Sequence, residues 1–209
     1  MFSTTDTRRR CVRCHAPYRL PTDGRKRVDF CIHHTKPPVY SSDLRIHPCC
    51  GRAQGVAGCQ HSESHVTDTI RESVLLEFQA TPEPTGPGDP RSDAFYALDC
   101  EFVYTTVGKE AARITVVDSY GNEVGPGDPR SDAIREMLFK MVNSETLLIG
   151  HALENDLKAL RIVHDNVIDT SVLFSRSTAE GRCFKQSLKS LAREQLDMDI
   201  QSEGEFTKL

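Results

Sequence analysis

The sequence predicts an α/β protein with a mixed sheet, preceded by a small cysteine- and histidine-rich metal-binding module. Three observations support this prediction. Apolar segments of strand length alternate with amphipathic helical segments after residue 94, six of the eight cysteines lie between residues 11 and 59, and the charge changes sign along the chain. Residues 1–70 carry 11 basic and 6 acidic residues, whereas residues 71–209 carry 15 and 24. A basic front segment suits polyanions, and an acidic remainder suits metal ions.

Shifts in composition divide the chain into three predicted parts. Residues 1–70 form the Cys/His-rich module, residues 71–94 a connector, and residues 95–209 the α/β domain. Residues 66–80 have helical spacing, and residues 81–90 contain four prolines and two glycines, which is typical of a linker. The nonapeptide at 86–94 recurs unchanged at 125–133. We interpret it as a duplication or an error in the coding sequence, because a repeat architecture needs a regular period.

The sequence also bears on the compartment. It contains no run of about 18 apolar residues, so we expect no membrane-spanning helix. The first ten residues lack the apolar core of a secretory signal. We therefore expect the chain inside the cell, where thiols stay reduced and where dense cysteines favour metal over disulfides. Arg8–Arg10 is a short candidate for a nuclear import signal, so we expect a nuclear or nucleolar location, with the cytoplasm as the alternative.

The spacing of cysteines and histidines predicts two zinc sites in the front module. Cys11-x-x-Cys14 and, after sixteen residues, Cys31-x-x-His34 have the paired spacing of a tetrahedral structural site. The second predicted site combines three thiols and a histidine: Cys49, Cys50, Cys59 and His65. Its ligand choice stays open, because two of the cysteines are adjacent and four histidines are alternatives: His15, His33, His47 and His61. Buried free cysteines are the other interpretation, but a segment this poor in large apolar residues needs metal to fold.

The first element of the α/β domain is a strand over residues 95–103. Its side chains alternate between two faces, so Asp99 and Glu101 share one face, about 7 Å apart, and the apolar residues between them face the core. Two acids on a strand that otherwise forms core are costly unless a cation lies between them. A divalent metal is the natural partner of such carboxylates. The alternative is an edge strand with two solvated acids.

Further elements follow in alternation. A second strand over residues 111–120 pairs with the first as a hairpin, and Ser131 can cap the next helix. A short buried strand over 146–149 leads into a helix over about 153–163, then a strand over 167–170 and a final helix over 186–198. In the helix over 153–163, Asp156 falls within the apolar stripe and should face the sheet. Asp118 and Asp169 end strands and are interpreted as turn or capping residues.

These motifs together resemble the DEDDh 3′–5′ exonucleases, and among them the Rex-type RNA exonucleases of the RNA exonuclease 1 group. The resemblance rests on segments 96–102, 113–118, 149–160 and 167–174, and it extends to the cysteine-rich front segment. It implies a ribonuclease-H-like fold, here with an incomplete sheet, and a single-stranded RNA 3′ end as substrate. It also implies two Mg²⁺ or Mn²⁺ ions held by Asp99, Glu101 and Asp156, and release of nucleoside 5′-monophosphates.

The sequence departs from the family pattern in two places. The resemblance places a third motif, a histidine and an aspartate separated by four residues, on a helix after Phe206, and the sequence ends at Leu209. About 40 residues that the family has between the second strand and the next helix are also missing. We therefore expect an impaired exonuclease, with His151 and His164 as weak candidates for the missing base. The alternative is a catalytically inactive, zinc-containing protein that binds RNA or a protein partner.

Overall fold

The computed structural model describes residues 7–20, 28–41, 43–69, 75–125, 131–177, 181 and 183–200. The chain divides into two compact units. The first unit combines Met1–Glu77 with Phe102–Glu110, and the second combines Phe78–Glu101 with Ala111–Leu209. This division differs from the predicted one because residues 78–94 belong to the second unit and the tip of the first hairpin belongs to the first.

The described residues of the first unit include three short antiparallel strand pairs. β1 (Arg8–Arg10) pairs with β2 (Pro17–Arg19), β3 (Cys31–His33) with β6 (Gln60–Ser62), and β4 (Val39–Ser41) with β5 (Leu44–Ile46). Isolated two-stranded hairpins are marginally stable in water, so something else must hold these pairs in place. The buried apolar cluster of the described part of this unit is small: Cys11, Tyr18, Cys31 and Val66.

The hairpin tip in the first unit is the segment Phe102–Glu110. Two hydrogen bonds to its backbone carbonyls fix it in place. The Thr67 amide donates to the carbonyl of Thr105 at 2.9 Å, and the Tyr18 hydroxyl donates to the carbonyl of Thr106 at 3.0 Å. Both bonds involve residues next to the small buried cluster. The hairpin tip therefore completes this unit.

The second unit contains a four-stranded mixed sheet in the order β12-β10-β8-β9. Its strands are β8 (Phe95–Tyr104), β9 (Lys109–Val117), β10 (Leu147–Gly150) and β12 (Val167–Asp169). β10 lies parallel to both of its neighbours, with Ile149 opposite Ala97 of β8 and Gly150 opposite Asp169 of β12. Smaller pairs are formed by β7 (Gln79–Ala80) with β11 (Ile162–Val163), and by β13 (Arg176–Ser177) with β14 (Cys183–Phe184). The predicted mixed α/β character is confirmed.

Four helices accompany this sheet in the described residues. They are α1 (Ser131–Met141), α2 (Glu154–Leu160), α3 (Thr170–Leu173) and α4 (Leu188–Leu196). Strand and helix side chains share the core, whose buried apolar members include Leu98, Ile114, Val116, Ile134, Leu138, Val142, Leu148, Leu153 and Leu160. No helix in the described ranges is long and apolar enough to span a membrane.

Residues 78–94 of the connector belong to the second unit. The Thr81 amide donates to the carbonyl of Val163 at 3.1 Å, which extends the β7–β11 pairing. This pairing is why Gln79–Ala80 forms a strand, although the spacing over residues 66–80 predicts a helix; residues 70–74 of that segment lie outside the described residues. In the first copy of the nonapeptide, Arg91 pairs with the buried Asp89 and lowers its pKa. Residues 126–130 of the second copy are outside the described part.

Gly150 permits a close approach between α2 and the sheet. A β-carbon at this position would lie 2.7 Å from Cδ1 of Leu153 and 3.1 Å from the carbonyl oxygen of Leu98. Leu153 is buried and cannot move away without disturbing the core. The absence of a side chain at residue 150 therefore lets the chain turn directly from β10 into α2.

We expect Gly150→Ala to lower the free energy of unfolding by about 1–3 kcal/mol, because overpacking displaces well-packed neighbours. Gly150→Val should lower it further. Denaturant unfolding of the metal-loaded protein measures both changes, with Ser119→Ala at an exposed turn position as the control. A change at residue 150 as small as that of the control would contradict the close approach.

Candidate metal centres and acidic site

Two groups of cysteine and histidine side chains converge in the first unit. One contains Cys11, Cys14, Cys31 and His65, and the other contains His34, Cys49, Cys50 and Cys59. Within each group, the four donor atoms lie within 4.8 Å of one another. Among the residues that the structure describes, these are the groups that meet that criterion.

The distances inside both groups fit tetrahedral coordination. Sulfur–sulfur distances are 3.7 Å between Cys11 and Cys31 and 3.6 Å between Cys49 and Cys59. A tetrahedron with metal–sulfur bonds of about 2.3 Å has edges of about 3.8 Å. The histidine nitrogens lie at similar distances from the thiols. His65 Nδ1 is 3.3 Å from Cys14 Sγ, and His34 Nδ1 is 3.5 Å from Cys50 Sγ.

Each histidine presents Nδ1 to the thiols and uses Nε2 elsewhere. Nε2 of His34 lies 3.3 Å from the carbonyl oxygen of Val56, and Nε2 of His65 lies 3.7 Å from a carboxylate oxygen of Asp29. The carbonyl acceptor of His34 favours a proton on Nε2, which leaves the Nδ1 lone pair for a metal, and the carboxylate of Asp29 favours the same tautomer of His65 electrostatically. Both rings are therefore oriented as metal ligands.

The thiols of the first group have opposite pKa shifts. Burial acts to raise the pKa of Cys11, but hydrogen bonds from the backbone at Cys14 and Val66 lower it to about 6. Burial, followed by the neighbouring Cys14 and Cys11, raises the pKa of Cys31 to about 12. One thiolate forms readily and then opposes the next, so a cation is required for the whole group to ionise.

The structure corrects the predicted ligand sets by exchanging the two histidines. His65 joins Cys11, Cys14 and Cys31, and His34 joins the cysteines at 49, 50 and 59. The reason is that Cys31–His33 form a strand rather than a turn. Side chains alternate along a strand, so Cys31 and His34, three residues apart, leave it on opposite faces. Pairing of Cys31 with Ser62 of β6 then brings the segment that precedes His65 beside Cys31.

The three acids predicted as metal ligands all belong to the second unit. Asp99 and Glu101 are both exposed on β8 and lie on the same side of the strand, as the alternation predicts. Asp99 lines a cavity of about 250 Å³ together with His151 and Thr170. Asp156 is buried on α2, with 3% of its surface exposed, so its predicted inward orientation is confirmed.

A hydrogen bond from the strand backbone holds Asp156 against β8. Oδ1 of Asp156 accepts from the Cys100 amide at 2.8 Å, and Cys100 lies between Asp99 and Glu101 in the sequence. The pairing of β8 with β10 ends at Ala97, so the Cys100 amide lies beyond the last paired residue. The third acid is therefore fixed at the point in the strand where the other two project.

Both aspartates of this site are harder to ionise than usual. Burial raises the pKa of Asp156 to about 6, and the charge on Asp99 raises it as well, against the opposing effect of the hydrogen bond from Cys100. Desolvation also raises the pKa of Asp99, although the side chain is exposed at the cavity, and His151 acts in the opposite direction. These shifts describe a negative site that a cation would stabilise.

The three carboxylates do not meet at a single point. They are not among the groups whose donor atoms all lie within 4.8 Å, as far as the described ranges go. Two residues along a strand are separated by about 7 Å, and like charges repel, which keeps the oxygens of Asp99 and Glu101 apart. The spacing suits two cations better than one.

Asp169 supports the position of Asp156. Its carboxylate accepts from the amides of Ala152 and Leu153 at 2.9 and 3.0 Å, and also from the amide of Ser171, where it caps α3. Although burial opposes ionisation, these hydrogen bonds lower the pKa of Asp169 to about 2. The sequence identifies Asp169 as a capping residue, but only the sheet register shows that it also anchors the start of α2.

His151 was not among the predicted ligands, and its ring is oriented by a relay. The Thr170 hydroxyl donates to the carbonyl of Gly150 at 2.9 Å, so it has no second hydrogen to give. It therefore accepts from His151 Nδ1, 3.0 Å away. In the neutral ring, Nε2 then carries the lone pair, within the cavity lining that includes Asp99.

His164 and Asp169 have the spacing of a third DEDDh motif, but they occupy structural positions. His164 is buried; its Nδ1 lies 2.9 Å from the Thr81 hydroxyl and its Nε2 2.8 Å from the carbonyl of Thr146. Both ring nitrogens are already used. The weak expectation that His164 replaces a catalytic base therefore has no support from its contacts.

We expect Asp156→Asn to stabilise the zinc-loaded protein at neutral pH in buffer without Mg²⁺ or Mn²⁺. The folded-state pKa of about 6 lies above the unfolded value near 4, so the native state binds the proton more tightly. Stability is therefore lost as the pH rises from about 4 to about 6, by roughly 3 kcal/mol at most. The asparagine stays neutral and keeps an acceptor for the Cys100 amide.

Denaturant unfolding of both proteins between pH 4 and pH 8 measures this difference. Glu154→Gln, at an exposed acid on the same helix, is the control and should show no comparable gain. Parallel stability curves for the native protein and Asp156→Asn would contradict the raised pKa.

Comparison with known proteins was informative at the sequence level. The chain is 34% identical to RNA exonuclease 1 homolog of Homo sapiens over 92% of its length, 33% identical to exonuclease GOR of Pan troglodytes over 91%, and 32% identical to RNA exonuclease 3 of Candida albicans over 92%. It covers 18%, 32% and 53% of these proteins. The alignment with the human protein spans 224 positions, more than the 209 residues of the chain, so that relative has residues without a counterpart here.

No protein-family model matches the chain. Among solved structures, the catalytic unit of Neurospora crassa Pan2, which comprises protease and nuclease domains, is similar with a TM-score of 0.43 and 23% identity. That similarity covers 63% of this chain and 29% of the Pan2 chain. The matches to named RNA exonucleases extend over nearly the whole chain, through the cysteine-rich segment and the acidic motifs alike. Over the segment that it shares with these relatives, the chain belongs to the Rex-type RNA exonucleases of the DEDDh superfamily.

Proposed function

We propose that the second unit is a metal-dependent 3′–5′ exonuclease domain with a ribonuclease-H-like sheet, acting on single-stranded RNA ends. The observation that carries this proposal is the hydrogen bond from the Cys100 amide to Asp156, which fixes a buried carboxylate beside Asp99 and Glu101. The names of the relatives, RNA exonuclease 1 homolog and RNA exonuclease 3, support RNA as the substrate.

The acidic site fits a pair of hard divalent cations such as Mg²⁺ or Mn²⁺. Asp99, Glu101 and Asp156 would hold them through carboxylate oxygens, the ligands that these ions prefer. Burial raises the pKa of both Asp99 and Asp156, and a cation that pairs with their charged forms would offset this cost of desolvation. When bound, the ions activate a water molecule and stabilise the leaving 3′ oxygen of a phosphodiester.

The chain's own side chains supply positioning. Asp156 is held by the strand backbone, and α2 is held at its start by Asp169, so the carboxylate has little freedom to turn away. Leu98 and Ile149 also line the cavity beside Asp99, so the cavity offers the terminal nucleotide a partly apolar binding surface. Hydrolysis there would release a nucleoside 5′-monophosphate.

The first unit is proposed to be a zinc module whose two ions have a structural role. Each group of donors is complete, with three thiols and one histidine, and leaves no ligand position for a substrate. The small apolar cluster around Cys11 and Cys31 could not hold three short strand pairs unaided. Chelation should therefore unfold this unit.

We expect Asp99→Asn to reduce RNA cleavage by about 100-fold or more. Removing a metal ligand should lower activity by more than removing a residue that only supports a ligand. The assay follows the release of nucleoside monophosphate from single-stranded RNA with a free 3′ end in the presence of Mn²⁺. Asp118→Asn, in the turn after β9, is the matched control and should cleave like the native chain. If the native chain binds RNA without cleaving it, the alternative of an inactive RNA-binding protein replaces this proposal.

The assignment of ligands to the two zinc sites is tested by double variants. According to the structure, Cys11→Ser/His65→Ala removes two ligands of one site and should leave one zinc per chain. Cys11→Ser/His34→Ala damages both sites and should leave none. The Cys-x-x-Cys and Cys-x-x-His spacing predicts the opposite outcome for this pair of variants. Elemental analysis measures the zinc, and His61→Ala, at an exposed position, serves as the control.

A further inference from the structure

The first unit contains a broad groove of about 970 Å³. Its lining includes the side chains of Arg13 and Lys36 and four histidines, but no aspartate or glutamate. Both cations are exposed. Apart from the thiol of Cys14, which belongs to one of the metal-binding groups, the side chains that line the groove are therefore positive or neutral.

Residues 1–70, which contribute every lining residue of the groove except Tyr104, keep a positive net charge when the metal sites are filled. Residues 1–70 carry 11 basic and 6 acidic side chains. Each group of three thiolates with one divalent ion adds a single negative charge, so two such groups remove only part of the excess. A polyanion is the ligand class that this balance favours.

Apolar side chains are interleaved with the cations. Tyr104, Ile32 and Val56 line the groove and are 45–47% exposed. The Tyr104 ring offers a flat contact for planar groups, and Ile32 and Val56 add apolar surface beside it. Tyr104 projects from the hairpin tip, whose backbone is held by Tyr18 and Thr67, so its position is defined.

The guanidinium of Arg13 is also positioned in advance. Its Nη1 donates to the Ser62 hydroxyl at 3.2 Å, which holds the side chain against β6 while other N–H groups remain for a ligand. A guanidinium held in this way matches phosphate geometry and loses less conformational freedom on binding.

We propose that this groove binds a segment of single-stranded RNA through its phosphates and bases. Cations that follow a backbone, combined with exposed aromatic and apolar contacts, form the recognition surface for single strands. The choice of RNA rests on the proposed function, but binding in the groove requires neither cleavage nor a 3′ end. None of the residues that line the groove is one of the three carboxylates.

The test measures binding of a short unstructured circular RNA by fluorescence anisotropy, using the full, zinc-loaded chain with Asp99→Asn to prevent cleavage. A circle has no 3′ end, so it reports on the groove rather than on the exonuclease site. The variant Arg13→Gln/Lys36→Gln should bind more weakly and lower the slope of log affinity against log salt by about 1.4, which corresponds to two lost phosphate contacts. Tyr104→Leu should weaken binding on the order of ten-fold and leave that slope unchanged.

The matched control is Arg19→Gln/Arg52→Gln, which removes the same charge from exposed positions outside the groove lining. If the control lowers affinity and salt slope as much as the groove variant, or if all groove variants bind like the parent, the proposal is overturned. The second outcome includes a groove that serves a protein partner. If the charge variant loses zinc, Tyr104→Leu decides alone. Failure of the native chain to cleave linear RNA bears on the proposed nuclease only.

Discussion

The hydrogen bond between the Cys100 amide and Asp156 is the constraint on which the second unit's site depends. A strand amide beyond the end of the neighbouring strand needs an acceptor, and a buried carboxylate needs a donor. Each group satisfies the other. The helix that carries Asp156 is held close because Gly150 has no side chain and because Asp169 binds the amides that precede the helix. The backbone geometry at the start of the helix therefore also determines where Asp156 lies.

The first unit is organised by a different constraint. Its buried apolar cluster is small, and its strands are three residues long, so donor atoms rather than hydrophobic area define its interior. Both groups bring sulfur and nitrogen atoms to tetrahedral distances, and each histidine is oriented through its far nitrogen. Family membership supports a nuclease role for the second unit, whereas the metal-binding role proposed for the first unit rests on the spacing and the contacts of its donor atoms.

The orientation of the three acids was predictable from local sequence periodicity. Alternation along β8 separated Asp99 and Glu101 from the core, and the helical stripe turned Asp156 inward, because both depend only on local periodicity. The exchange of His34 and His65 was not predictable from spacing, because it follows from the pairing of β3 with β6. The second role of Asp169 and the relay to His151 likewise depend on strand register, which brings Gly150 beside Asp169.

The exchanged histidines nest one metal site inside the other. All four donors from His34 to Cys59 lie within the stretch that separates Cys31 from His65. Closing the inner site shortens the free loop that the outer site must close, which lowers the entropy cost of the second step. During synthesis, the inner set leaves the ribosome complete before residue 65 appears. When both groups bind metal as proposed, this topology favours filling the enclosed group before the enclosing one.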